Sequence, residues 1–150
     1  MFAEPLSAFR QATARPQRTK SDGALEVAHL LDTRYANCEM VTLVSDNLNT
    51  HTIGAFYEAF PPEQARAYVK RLDLVHTPKH GSWLNIAECE RSCLTSPCLA
   101  DRRLGDLDLL QSEIDTWSEK THTKQRGVDW HFQREDARLR LKRLYPKIKT

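Results

Sequence analysis

Two carboxylates stand where a chain can carry out metal-assisted chemistry. Asp46 follows the apolar run Met40-Val41-Thr42-Leu43-Val44-Ser45 and opens a polar string, Asp46-Asn47-Leu48-Asn49-Thr50-His51. Glu88 closes a second string, Lys79-His80-Gly81-Ser82-Trp83-Leu84-Asn85-Ile86-Ala87-Glu88. A carboxylate at the tip of a buried strand, with another on a nearby helix, is an oxygen-donor set of the kind that takes Mg²⁺. Paired ions of this type hold the attacking and leaving oxygens in phosphoryl chemistry. No third carboxylate falls on an upstream central strand, so half of such a site is legible.

Each carboxylate also has a plainer reading. Asp46 can bond its own backbone in a turn after a strand, and Glu88 can be a solvent-facing helical residue pairing with Arg91 or Ser92. Against these stand the dense polar cluster after Asp46 and the helical spacing of Trp83, Leu84, Ala87 and Leu94. That spacing puts Glu88 near a sheet-facing boundary. Lys79, His80, Arg102 and Arg103 are candidate phosphate contacts, with surface solvation as the alternative. Cys89, Cys93 and Cys98 are spaced C-x₃-C-x₄-C, which fits no common structural zinc module, and two thiols one helical turn apart suit a core. Trp117, Trp130, Phe132 and Tyr145 read as packing residues.

The elements that must position these groups follow from local pattern. Residues 2–15 read as a weak hairpin turning at Ser7-Ala8, followed by a loop over 16–20. Asp22 is expected to cap a helix with apolar positions Ala24, Leu25, Ala28, Leu31 and Tyr35. A strand over 40–44 delivers Asp46. Ile53, Phe56, Tyr57 and Phe60 mark a short amphipathic helix stopped by Pro61-Pro62. A helical segment over 63–70 leads to a strand over 72–77. Ser82 is expected to cap the Glu88 helix, and Pro97 to end or kink it. A helix starts at Asp106 with Leu107, Leu110, Ile114 and Trp117 inward, and a polar loop runs over 121–127. A last helix turns Ala137, Leu141 and Leu144 inward and Arg138, Lys142 and Arg143 outward. This order indicates an α/β or α+β layer with helices covering a sheet.

Composition bounds the function classes. The 150 residues suit one domain with a real core. Charged residues make up 28% and hydrophobic ones 40%, ordinary for a globular chain. Residues 134–150 hold seven Lys or Arg against Glu135 and Asp136, a local net of +5 in a chain whose total is +2. A basic segment on a mildly acidic body points to a polyanion, with a solvated helix face as the alternative. No apolar stretch approaches a membrane span and no signal peptide is legible. Four cysteines then indicate reduced thiols in a soluble, cytoplasmic protein.

The strings Asp46-Asn47-Leu48-Asn49-Thr50-His51 and His76-Thr77-Pro78-Lys79-His80-Gly81-Ser82-Trp83-Leu84-Asn85-Ile86-Ala87-Glu88 resemble those of bacterial insertion-sequence transposases, in the mariner-like group of the DDE superfamily. The likeness runs from residue 1 to Pro146, and departs from the family pattern over 95–103 by a proline and one extra residue. It implies a ribonuclease H-like α/β fold, a mixed sheet flanked by helices with a C-terminal helical extension. Residues 1–150 would then form one catalytic domain, incomplete at its N-terminus. Asp46 would be the second metal-binding carboxylate and Glu88 the third, with the first Asp and a helix-turn-helix lying before Met1. The expected function is metal-dependent DNA cleavage and transfer, with Mg²⁺ or Mn²⁺ held weakly and the chain inactive alone. The expected partners are transposon-end and target DNA and a homo-oligomer or a mixed oligomer with a full-length transposase, with no membrane contact. A non-catalytic DNA-binding or regulatory module is the competing reading.

Overall fold

A computed structural model describes residues 1–46, 52–78, 85–95, 105–124, 131, 133–140 and 142. The chain opens on a hairpin. Strand β1 (Phe2–Glu4) pairs antiparallel with β2 (Phe9–Gln11), with Ala3 opposite Arg10. The turn falls at the expected Ser7-Ala8, where Ala8 has a φ of 56°. That left-handed conformation costs an L-residue about 1–2 kcal/mol, and a hydrogen bond from the Phe9 amide to Ser7 Oγ at 3.3 Å helps hold it.

Helix α1 (Lys20–Asp32) starts one turn earlier than the Asp22 cap expected from sequence. Thr19 is the N-cap: its Oγ1 accepts from the Asp22 amide at 3.1 Å, and Asp22 Oδ2 accepts from the Thr19 amide at 2.9 Å. Asp22 thus forms the other half of a capping box, which satisfies two helix-end donors at once. Ala24, Ala28 and Leu31 face inward as the periodicity indicates, while Leu25 is exposed and Tyr35 lies beyond the helix end. The carbonyls left at that end are gathered by Arg71, whose Nη2 donates to Leu31 O at 3.1 Å, Tyr35 O at 2.6 Å and Cys38 O at 3.2 Å.

Strand β3 (Val41–Ser45) runs parallel to β4 (Leu72–His76), with Val41 opposite Leu72 and Ser45 opposite His76. Their connection holds α2 (Gly54–Ala59) and α3 (Pro62–Lys70). Pro62 sits in the first turn of α3, where its missing N–H costs nothing. Side chains alternate along both strands. Val41, Leu43, Leu72 and Leu74 are half-buried, whereas Val44 and Val75 are exposed. The first core packs Leu31, Phe56, Ala65 and Tyr68 against Val41 and Leu72. Of the expected amphipathic face of α2, Phe56 is buried but Ile53 and Tyr57 are exposed.

A second core gathers Leu94, Ile114 and Trp117, with Met1 and Ala12 packed against it. It joins the hairpin to α4 (Ile86–Leu94) and α5 (Leu107–Thr123). Asp106 caps α5 through the amides of Asp108 and Leu109. The helix runs on to Thr123, where a polar loop was expected from residue 121. Thr121 Oγ1 bonds Trp117 O at 2.7 Å and Thr123 Oγ1 bonds Glu119 O at 2.9 Å, so these hydroxyls are satisfied within the helix. Helix α6 (Arg134–Arg140) buries no residue, and Ala137 is only half-buried. Leu141, Leu144, Trp130 and Phe132 lie outside the described residues.

Among the described residues the strands form two separate pairs rather than one mixed sheet, with six helices around them. No helix of the described residues is long and apolar enough to cross a membrane. Charged side chains tie the two cores together. Arg34 Nη2 donates to Glu4 Oε2 at 2.7 Å, and its guanidinium lies 3.9 Å from the Phe9 ring centroid. Hydrogen bonds from Arg34 and Ser7 hold the Glu4 carboxyl below its ordinary pKa.

The hairpin, α4 and α5 meet at a buried ion pair. Arg10 Nε lies 2.6 Å from Glu90 Oε2, and Nη2 lies 2.9 Å from Oε1. The two residues are 3% and 7% exposed. Hydrogen bonding to Glu90 raises the Arg10 pKa despite the opposing effect of burial. Removing one partner of such a pair strands a buried charge. Glu90→Ala is therefore expected to lower unfolding stability by about 3–5 kcal/mol, measured by urea denaturation. A loss under about 1 kcal/mol, the range of an exposed pair, would contradict this account.

Candidate functional site

Parallel pairing carries the two strand ends to one edge, where loops leave an α/β sheet and functional sites commonly lie. Asp46 is the first residue past β3, half-buried, with its Oδ1 atom buried. Beside it, the register places Ser45 opposite His76. Ser45 is 8% exposed, and its Oγ lies 3.1 Å from His76 Nδ1. The same nitrogen lies 3.4 Å from the Asp46 carbonyl oxygen. A ring carrying its proton on Nδ1 donates to that carbonyl, with Ser45 Oγ as a second acceptor. With Nδ1 bare, the ring accepts from the Ser45 hydroxyl instead. The Thr77 amide donates to Ser45 O at 2.9 Å and extends the ladder past β4. Main-chain and side-chain bonds thus pin the backbone on which Asp46 stands.

Glu88 lies in the first turn of α4. That helix begins at Ile86, later than the Ser82 start expected from sequence, and Ser82 itself is outside the described residues. Asn85 is the N-cap: its Oδ1 accepts from the Ala87 amide at 3.1 Å. Glu88 is half-buried and accepts from Arg91 Nη2 at 3.0 Å, an i,i+3 pair with the Arg mostly exposed. The plainer reading of Glu88 therefore describes its present contact. Two residues on, Glu90 points into the hairpin, where it meets Arg10.

Two carboxylates supply the hard oxygens that Mg²⁺ prefers. Among the described residues, no group of three or more His, Cys, Asp or Glu side chains is arranged to hold a metal. The two aspartates upstream of Asp46 are engaged elsewhere, Asp22 in the α1 capping box and Asp32 accepting from Tyr68 Oη at 2.6 Å. An apolar pocket beneath the same strand edge, lined by Val27, Leu43, Phe56 and Leu74, includes Ser45 but neither Asp46 nor Glu88. Cys89 is exposed rather than core, and Cys93 is half-buried against the second core.

Of the candidate phosphate contacts, Lys79, His80, Arg102, Arg103 and Arg143 lie outside the described residues. Arg138 and Lys142 are exposed. Sequence reasoning missed the Ser45–His76 bridge and the Asn85 cap. The first had no local signal, because strands expected over 40–44 and 72–77 do not fix a register, and only the observed parallel pairing brings Ser45 level with His76. The second was written in Asn85 itself, a favoured cap residue three positions before Glu88.

A family model described as DDE superfamily endonuclease matches residues 7–111, a span that holds both Asp46 and Glu88 and ends within α5. It is shorter at both ends than the likeness read from the motifs. No curated protein and no solved structure gives a significant match.

The cap beneath Glu88 can be tested alone. Asn85→Ala removes the acceptor for the first turn and is expected to cost about 1 kcal/mol. Amide hydrogen exchange should speed up at Ala87 and Glu88 while that of α1 stays unchanged. Unaltered exchange at Ala87 would show that the cap does not hold this turn.

Proposed function

Because the chain belongs to the DDE superfamily endonucleases, we propose that it is the distal part of the catalytic domain of a mariner-like bacterial insertion-sequence transposase, with a ribonuclease H-like core. The observation that carries this reading is Asp46: a half-buried carboxylate at the outgoing edge of a parallel strand pair, one residue past the Ser45 backbone held by the Thr77 amide. In this reading Asp46 and Glu88 are the second and third metal-binding carboxylates, taking Mg²⁺ or Mn²⁺. A divalent ion there supplies Lewis-acid polarisation of a phosphoryl oxygen and a lowered pKa for bound water. The residues' own tasks are simpler. Asp46 and Glu88 offer oxygen donors, the β3–β4 ladder holds the strand end that carries Asp46, and Asn85 holds the turn beneath Glu88.

In this reading neither Asp22 nor Asp32 is the first carboxylate, being engaged by the α1 capping box and by Tyr68, and that ligand is supplied by another part of the assembly. Two donors bind an ion weakly, so the chain acts on transposon-end and target DNA only within a larger assembly, as a homo-oligomer or a mixed oligomer with a complete transposase in the cytoplasm. The test is Mg²⁺-dependent nicking of a terminal inverted-repeat duplex by this chain and by Asp46→Ala. Both are expected to stay at background. Robust cleavage that disappears on substitution would overturn inactivity while supporting the role of Asp46.

A second reading, a non-catalytic DNA-binding module, is favoured by α6, which buries nothing and exposes Arg138 and Arg140. It adds phosphate contacts from Arg138, Lys142 and Arg143, with Lys79, His80, Arg102 and Arg103 as further candidates. Each phosphate contact contributes nearly one unit, about 0.9, to the slope of log affinity against log salt. Replacing Arg138, Lys142 and Arg143 by Gln is expected to flatten that slope by about 2–3 units, with sequence preference unchanged because phosphate contacts do not read bases. A slope that does not move would make this face merely solvated.

A further inference from the structure

We infer that the buried Arg10–Glu90 pair is a positioning device for Glu88, setting the rotation of α4 about its own axis; the inference rests on Glu88 being a metal-binding carboxylate. Arg10 is fixed from its own side before it meets Glu90. Its Nη1 donates to Ala8 O at 2.8 Å across the turn, and its backbone amide donates to His122 Nε2 on α5 at 3.0 Å. The guanidinium then grips both oxygens of Glu90, at 2.6 and 2.9 Å. A planar fork on a carboxylate has narrow angular tolerance. The frame that orients Glu90 is therefore the hairpin with α5, not α4 itself.

Helical geometry carries that orientation to Glu88. Successive residues turn by about 100°, so two positions differ by about 200°. With Glu90 drawn inward, Glu88 is thrown to the far side of the helix. Leu94, four residues beyond Glu90 and so on its side, is buried in the second core, while Glu88 remains half-buried. The apolar contact at Leu94 turns this face of α4 inward only broadly, because the hydrophobic effect itself is non-directional, and a two-point charged contact narrows the rotation. An apolar pair of similar volume often matches a buried ion pair in stability. A charged pair in this place, 80 residues apart in sequence, is accounted for by the direction it imposes.

The test separates direction from stability. The double variant R10M/E90L is compared with the unaltered chain by thermal melting and by Mn²⁺ titration of ¹⁵N-labelled protein, following line broadening at the Asp46 and Glu88 amides. In the unaltered chain both amides should broaden over one Mn²⁺ range. In R10M/E90L, melting should be retained, while the Mn²⁺ needed to broaden Glu88 rises about tenfold or more, the size expected for lost support of a metal ligand. A metal-free measurement accompanies it. With Cys38 and Cys98 replaced by Ser in both backgrounds, release of α4 from its fixed rotation should raise the reaction rate of Cys93 with a thiol reagent relative to Cys89. Should the double variant fail to fold, Arg10→Lys, which keeps the charge but not the fork, is expected to give the same pattern in weaker form. A folded variant with unchanged Glu88 broadening and an unchanged thiol ratio would overturn the inference. Broadening of Asp46 but never of Glu88 in the unaltered chain would instead remove the reading of Glu88 as a metal ligand, and the inference with it.

Discussion

A single buried ion pair organises the half of the molecule that carries Glu88. Arg10 and Glu90 are almost wholly removed from water, and a charge in that position is tolerated only when its partner and hydrogen bonds are complete. That requirement reaches outward. The hairpin must turn at Ala8 to present its carbonyl to the guanidinium, and α5 must bring His122 against the Arg10 backbone. Helix α4 must meet β2 with Glu90 facing in. The small apolar cluster of Leu94, Ile114 and Trp117 supplies the driving force for this contact, and the ion pair supplies its angle.

The other half is built on different physics. Two parallel strands are too few to be stable by themselves, and they are covered on one face by α1 and by the crossover helices. Alanines at positions 24, 28, 55 and 65 allow close approach, and the rings of Phe56, Phe60 and Tyr68 fill the space beyond them. The opposite face leaves Val44 and Val75 exposed. The two halves are joined through polar contacts. Glu4 bonds Arg34 and Tyr35, and Glu26 on α1 bonds Thr13 and Arg15 beyond the hairpin. Such exposed or half-exposed contacts orient more than they stabilise.

Each candidate carboxylate accordingly belongs to a different half. Asp46 is fixed by strand pairing, through a backbone ladder that tolerates little sideways movement. Glu88 depends on the rotation of a nine-residue helix and on its first turn. The match to the DDE superfamily endonucleases spans both positions, and under the proposed function they would share one task, the binding of divalent ions for phosphodiester chemistry. The architecture explains why they are held by separate devices.

Much of this was legible in the chain itself. The hairpin turn, the apolar stripe of α1, the existence of both later strands to within a residue of their ends and the helix starting at Asp106 arise from interactions within a few residues, and local pattern encodes those directly. The strings around Asp46 and Glu88 likewise carried the family likeness without any coordinates. Errors at the local level were errors of competition. Asp22 looked like a cap, but Thr19 three residues earlier completes a box with it. Thr121 and Thr123 looked like loop residues, but their hydroxyls bond back into α5. What only the tertiary structure decided are the meetings of distant residues. Position 10 finds position 90, Ser45 comes level with His76, and, among the described residues, β3 and β4 pair in parallel apart from the hairpin. No periodicity marks an Arg or a Glu as buried, because charged residues are ordinarily exposed and only the partner, 80 residues away, makes burial tolerable.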